Sequence, residues 1–155
     1  MIQNQYTSTE LFAQNHLKST QIIDQIKQGK VTEILNAIGY IKDGNVIIDF
    51  KNLKYFATPY TYDIIANYFD NIFTQLVNHN DTFNVYLNFQ SLSLIDMDKH
   101  QLFCKKMATY LSDKYPDKLS KCFIYNASFV FESIIKMIKT FIDKSTLNKI
   151  VLIKE

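Results

Sequence analysis

The sequence contains no arginine and no tryptophan, and only three glycines, two prolines and two cysteines among its 155 residues. Each scarcity removes a class of function. All 17 basic residues are lysine, so the planar, bidentate side chain that usually reads phosphates and base edges is missing. The lysines are scattered rather than gathered into a track, and no nucleic-acid partner is expected. Three glycines cannot build a P-loop or a dinucleotide fingerprint. His16, His79 and His100 lie far apart and share no HxH or HExxH spacing, so no metal or other cofactor is expected. No GxSxG elbow occurs, and Cys104 and Cys122 have neither a CxxC partner nor a catalytic setting. No enzyme signature emerges. No apolar run approaches the roughly 18–20 residues that span a bilayer. The first residues, "MIQNQYTSTELF", lack the basic and apolar regions of a secretory signal. The expected location is the cytoplasm, with both thiols reduced and buried.

What remains is ordinary globular material, 47% apolar and 21% charged, enough for one domain over 1–155 with a real core. Residues 1–39 read as a helical segment. Ser8 or Thr9 offers a cap, Leu11, Phe12, Ile22, Ile23 and Ile26 are apolar positions, and Gly29 is a stop. "VTEILNAIG" adds a short helix. From residue 40 to 155 the pattern is an α/β core. "YIKDGNVIIDF" has Asp43-Gly44 between two apolar runs, a hairpin signal, and the second run continues toward "LKYFA". Thr58-Pro59 marks a helix start, followed by Ile65, Phe69, Ile72 and Leu76 on one helical face. "FNVYLNF" is a strand. A helix capped by Asp96 or Asp98 follows, with Phe103, Met107, Tyr110 and Leu111 inward, and Tyr115-Pro116 ends it. "KCFIYNA", the helix 129–143 and "NKIVLI" complete the alternation. The expected fold class is α/β, a mostly parallel sheet with flanking helices and short N-terminal helices.

The 129–143 stretch is unusually greasy. Glu132, Lys136, Lys139 and Asp143 form a narrow polar stripe, and most other positions are apolar. A helix lying on a sheet needs one apolar face. A second face can pack on another helix, line an apolar cavity or meet a membrane surface.

The order of residues around this stretch resembles the C-terminal half of a CRAL-TRIO domain, the lipid-binding fold of retinal, tocopherol and phosphatidylinositol carriers. Tyr115-Pro116-Asp117-Lys118-Leu119 matches the family's helix end. Ile124-Tyr125-Asn126-Ala127-Ser128 matches a strand ending in an Asn-Ala-Pro-like turn, with Ser128 in place of Pro. Ile138-Lys139-Thr140-Phe141-Ile142 matches the end of an apolar helix, and Thr146, Lys149 and Ile150–Ile153 match the strand that follows. Asn88 stands where many members carry Asp. The resemblance implies a lipid or small hydrophobic ligand held in an apolar pocket gated by helix 129–143. Implied pocket residues are Tyr86, Phe89, Phe123 and Tyr125 from the sheet, and Ile134, Ile138 and Phe141 from the gate. Lys149 stands where phosphoinositide-binding members contact the headgroup. The family pattern continues beyond the last matched strand with elements these residues do not contain. The implied pocket is therefore incomplete, open at one edge, or closed by a partner chain. The last strand offers an edge for association, including a homodimer. A second reading keeps the fold, gives up the pocket and makes the chain a protein-interaction module.

Overall fold

The computed structural model describes residues 6–12, 24–25 and 27–154. Ile22, Ile23 and Ile26, expected as apolar helix positions, lie outside them, as does His16. The described N-terminus begins with α1 (Ser8–Phe12). Its cap is Thr7 rather than Ser8 or Thr9: the Thr7 hydroxyl accepts the Glu10 N–H at 3.1 Å while the Glu10 carboxylate accepts the Thr7 N–H at 3.3 Å. Then come α2 (Val31–Ile38), β1 (Gly39–Lys42) and β2 (Asn45–Asp49). The two strands pair antiparallel, and the expected turn lies between them, with φ of 51° at Asp43 and 78° at Gly44. Positive φ at both central positions gives the backbone twist that two-residue hairpins prefer.

After β2 the chain does not continue as strand toward "LKYFA". The Asp49 side chain accepts the Lys51 N–H at 3.0 Å and starts α3 (Phe50–Phe56). The next helix, α4 (Tyr62–His79), begins three residues beyond Pro59. Thr58 to Thr61 form a turn instead, in which the Thr61 hydroxyl accepts the Thr58 N–H at 2.8 Å and donates to the Phe56 carbonyl. Ile65, Phe69, Ile72 and Leu76 form its buried face, as their spacing predicts. β3 (Phe83–Asn88) follows, and then α5 (Leu94–Lys114). The α5 cap is Ser93 rather than Asp96 or Asp98. Asp96 is the reciprocal partner, accepting the Ser93 N–H at 3.0 Å while Ser93 accepts the Asp96 N–H at 3.1 Å. Tyr110 points outward, not into the core, and donates to Asp70 at 2.9 Å.

β4 (Leu119–Tyr125), α6 (Phe131–Ile138), α7 (Lys144–Leu147) and β5 (Ile150–Leu152) complete the chain. The expected helix over 129–143 is shorter, Phe131–Ile138; residues 139–143 form a turn that leads to α7, and Phe129 lies outside the helix and is 99% exposed. Local hydrogen bonds explain the break. The Thr140 hydroxyl donates to the Met137 carbonyl at 2.7 Å, competing with the helical ladder, and Asp143 caps a new helix by accepting the Thr146 N–H at 2.7 Å.

The strands lie in sequence order, β1 to β5, with β2 through β5 parallel. Right-handed crossovers stepping in one direction put all the connecting helices on one face. Strand alternation confirms the division. Val46, Val85, Ile124 and Phe83 face the helices, and Ile47, Tyr86, Phe123 and Tyr125 face the other way. Leu11 and Phe12 of α1 cover that second face.

Candidate functional site

The sheet divides the residues that sequence reasoning places in a pocket. Tyr86, Phe123 and Tyr125 lie on the α1 side, packed with Leu11, Phe12 and Ile47. Tyr86 and Phe123 stack there with ring centroids 4.9 Å apart. Phe89, Ile134, Ile138 and Phe141 lie on the helix side. One ligand can touch one set or the other, because a two-residue pleat sends alternate side chains to opposite faces. Which face each strand turned inward was open in the sequence, and the register with α1 decides it.

Under α6 the space is filled. Ile134 and Ile138 sit on Phe89, Leu92, Met97 and Ile124, and Phe131 closes on Phe89 with ring centroids 6.3 Å apart. Beyond the end of α6 the packing opens into a cleft of about 270 Å3. Phe83 and Val85 of β3 form its floor. Phe73, Leu111 and Tyr115 wall it on one side, and the turn carrying Ile142 walls the other. Lys149, Asp143 and Thr146 stand at the polar rim. Among the described residues, the Lys149 ammonium has no hydrogen bond or ion pair. Hydrogen bonds from the Thr146 N–H and side chain, and to a lesser degree the Lys149 charge, hold the Asp143 carboxyl below its usual range. Tyr115 is fixed from behind: its hydroxyl lies 2.7 Å from the Thr74 hydroxyl and 3.3 Å from Asp70, which also binds Lys114 at 2.8 Å. Sequence reasoning named Lys149, which stands at this rim, and did not name the cleft's other wall on α4 and α5. Phe73 and Leu111 read as ordinary core there, and no motif marks them.

The segment that carries the rim has a distinctive attachment. Among the described residues, the hydrogen bonds of residues 128–148 are local, within the segment or to the adjoining Lys149, as in Phe131 N to Ser128 O, Thr146 N to Asp143 Oδ1 and Lys149 N to Thr146 O. Its long-range contacts are apolar, through Val130, Phe131, Ile134, Ile138 and Phe141. Apolar contact is non-directional, so another apolar surface can replace it at little cost.

A second cleft of about 400 Å3 lies at the carboxyl ends of β2 and β3, where α1 approaches. Its buried carboxylate is Asp49, whose Oδ1 accepts from the amide of the equally buried Asn88 at 3.0 Å as well as from Lys51 N. Burial pushes its carboxyl up to about 6 against those hydrogen bonds. Asn88 Oδ1 in turn accepts from Asn126 at 2.9 Å, and Asn126 donates to Ser8. The polar atoms here are engaged in joining three strand ends to α1, which accounts for them structurally. The remaining reactive groups are quiet. Desolvation raises the Cys104 thiol to about 11 and Cys122 to about 12. His100 is buried against the Tyr62 hydroxyl at 2.7 Å, and burial lowers its pKa. Among the described residues, no three His, Cys, Asp or Glu side chains converge on a metal-sized site. No described helix is long and apolar enough to cross a membrane.

Comparison with solved structures gives 18 matching chains. One of them, the crystal structure of Sfh5, superimposes with a TM-score of 0.61 at 16% identity. The match covers 76% of this chain and 47% of Sfh5, so the chain spans about half the length of that relative. At this identity the likeness concerns the fold alone. Comparison with curated proteins gives no match. Comparison with protein families matches residues 21–155 to the CRAL/TRIO domain. The single sheet with all its crossovers on one face agrees with that assignment, and the chain belongs to the CRAL/TRIO domain family of lipid-binding proteins.

Proposed function

We propose that this chain binds a lipid or another small hydrophobic ligand on the helix side of its sheet, with residues 128–148 as the gate. The observation that carries this reading is the attachment of the gate, which is held to the body by apolar contacts and no long-range hydrogen bond among the described residues. Displacing it exchanges protein surface for ligand surface and leaves no buried polar group unpaired. The cleft of about 270 Å3 is the opening in the closed state. It lies just below the roughly 300–1,000 Å3 of small-molecule sites, so it takes one end of an acyl chain until the gate shifts. A ligand entering there meets Ile142 first and then Phe141, Ile138, Ile134 and Phe89 as α6 lifts. Lys149 waits at the rim for an anionic headgroup. Tyr86, Phe123 and Tyr125, on the far face, do not meet that ligand and serve instead to seat α1.

A second reading follows from the filled packing under Ile134 and Ile138. There the gate stays shut and the chain acts as an interaction module, with β5 as an exposed sheet edge bearing the half-exposed Leu152.

The two separate experimentally. The chain has no tryptophan, so Ile142→Trp places a single indole in the cleft wall. Titration with a lipid carrying bromine on its acyl chain should quench that indole, and native mass spectrometry of the wild type should show a lipid adduct. A clean unliganded mass, no quenching, and a concentration-dependent dimer would instead establish the module.

A further inference from the structure

Helix α5 is poorly covered for its length. Of its 21 residues only Met97 and His100 are buried, both in its first two turns. Past them, Leu102 is 75% exposed, and Phe103 and Met107 are half-buried. These three side chains line one side of a solvent-open groove of about 610 Å3. Asp63 and Ala66 of α4 line the other. The two helices are clasped at both ends of it. Tyr62 stacks on Phe103 with ring centroids 4.4 Å apart at one end, and Asp70 binds Tyr110 at 2.9 Å and Lys114 at 2.8 Å at the other. The walls differ in charge. α4 carries two aspartates and no lysine, whereas residues 99–110 of α5 carry three lysines and no acidic residue. Asp70 is taken up by Lys114. Asp63 and Lys106 both line the groove, yet neither has an ion pair among the described residues.

We propose that this groove is a homodimer interface, where a second copy of the chain docks about a two-fold axis running along the groove. Charge selects that occupant. A two-fold axis in this direction lays α4 of each copy over α5 of the other. α4 and α5 both return along parallel strands, and the bonds Tyr62–His100 and Asp70–Tyr110 join residues 38 and 40 positions apart. Asp63 therefore stands about one turn from the level of Lys106. In the dimer Asp63 of each copy meets Lys106 of the other, and symmetry makes the contact twice. A small anion would use Lys106 and leave Asp63 and the apolar floor uncovered. The chain itself presents both charges, and it presents an apolar ridge, Leu102, beside an apolar groove. The area agrees. Two adjacent helices of this length make a ridged face roughly 30 Å long and 20 Å wide, of the order of the about 800 Å2 per partner that a stable complex buries. The inference does not rest on the ligand reading, and it uses a surface other than the β5 edge.

Sedimentation equilibrium tests it. The wild type should form a reversible dimer. Asp63→Lys and Lys106→Glu should each weaken that dimer by about tenfold or more, because each sets like charges opposite one another at two symmetric places. An equimolar mixture of the two variants should recover the wild-type dissociation constant, since the introduced lysine then faces the introduced glutamate and the other contact is native. That recovery also shows that both variants are folded. Leu102→Ser should weaken the dimer by about tenfold and leave thermal unfolding of the monomer unchanged, because the side chain is largely exposed. Leu152→Ser, on the β5 edge, should dimerise as the wild type. Four results would each overturn the proposal. The wild type stays monomeric up to its solubility limit; the charge variants dimerise undiminished; their mixture associates no more tightly than either alone; or Leu152→Ser abolishes the dimer.

Discussion

The Tyr125 hydroxyl donates to the backbone carbonyl of Tyr6 at 2.6 Å, joining residues 119 positions apart. A parallel bond runs from the Tyr40 hydroxyl to the Leu11 carbonyl, also at 2.6 Å. Together they fasten both ends of the described N-terminal segment across the aromatic face of the sheet. Tyr125→Phe and Tyr40→Phe keep the rings and remove the two donors. Each should lower stability by about 1–2 kcal/mol in urea denaturation, the usual result of orphaning a part-buried acceptor. Limited proteolysis should then release the α1 segment sooner than in the wild type. Equal protease resistance in wild type and double variant would show that the apolar contacts of Leu11 and Phe12 hold the segment by themselves.

Much of this architecture is legible in the sequence, and the exceptions share a cause. The hairpin at Asp43-Gly44, the buried face Ile65–Phe69–Ile72–Leu76 and the stop at Tyr115 follow from turn chemistry and periodicity, which are local. The helix at Phe50–Phe56, the delayed start at Tyr62 and the break at Thr140 each turn on one side chain capturing a nearby backbone group. Periodicity cannot see such captures, because the apolar pattern is unchanged by them. The division of the pocket residues between two faces is a register property. It depends on where α1 lands, and nothing within β3 or β4 encodes that. Lys149 was visible because a resemblance marked it, whereas Phe73 and Leu111 reach the cleft only through tertiary packing.

Asp49 makes stability depend on pH. Burial raises its folded-state pKa from 3.8 to about 6. Between those values the unfolded chain has lost the proton and the folded chain retains it, so folding becomes less favourable as pH rises. Asp49 should therefore contribute a fall in stability on the order of 2–3 kcal/mol from about pH 4 to pH 6, and no further change above. Asp49→Asn keeps a competent cap and removes the charge. Chemical denaturation across that range should show a flatter profile for the variant. An identical slope in both proteins would assign the pH dependence to other groups.

The gate should open below the threshold of global unfolding. Amides of residues 134–138 are bonded only within their own segment, while those of β4 are bonded to two neighbouring strands. Hydrogen exchange should show the α6 amides exchanging at lower free energy than those of Phe123 and Ile124. Ile134→Ala removes a side chain that is 1% exposed and should cost about 2–4 kcal/mol. That loss should appear first in α6 exchange, with smaller change in β4. Equal loss in both elements would mean that α6 unfolds only with the whole domain.

Lys149 should set headgroup preference without setting affinity for the chain. Its ammonium is unpaired among the described residues and stands at the rim rather than in the apolar interior of the cleft. A point charge at a partly hydrated position attracts an anion by about 1 kcal/mol, which corresponds to a several-fold change in binding. Lys149→Gln should therefore weaken an anionic single-chain lipid, such as a lysophosphatidic acid, several-fold. It should leave a neutral monoacylglycerol of the same chain length unchanged. Isothermal titration against both ligands distinguishes the possibilities. Equal weakening of the two would mean that Lys149 acts through the shape of the cleft. Equal retention would place the headgroup elsewhere on the rim.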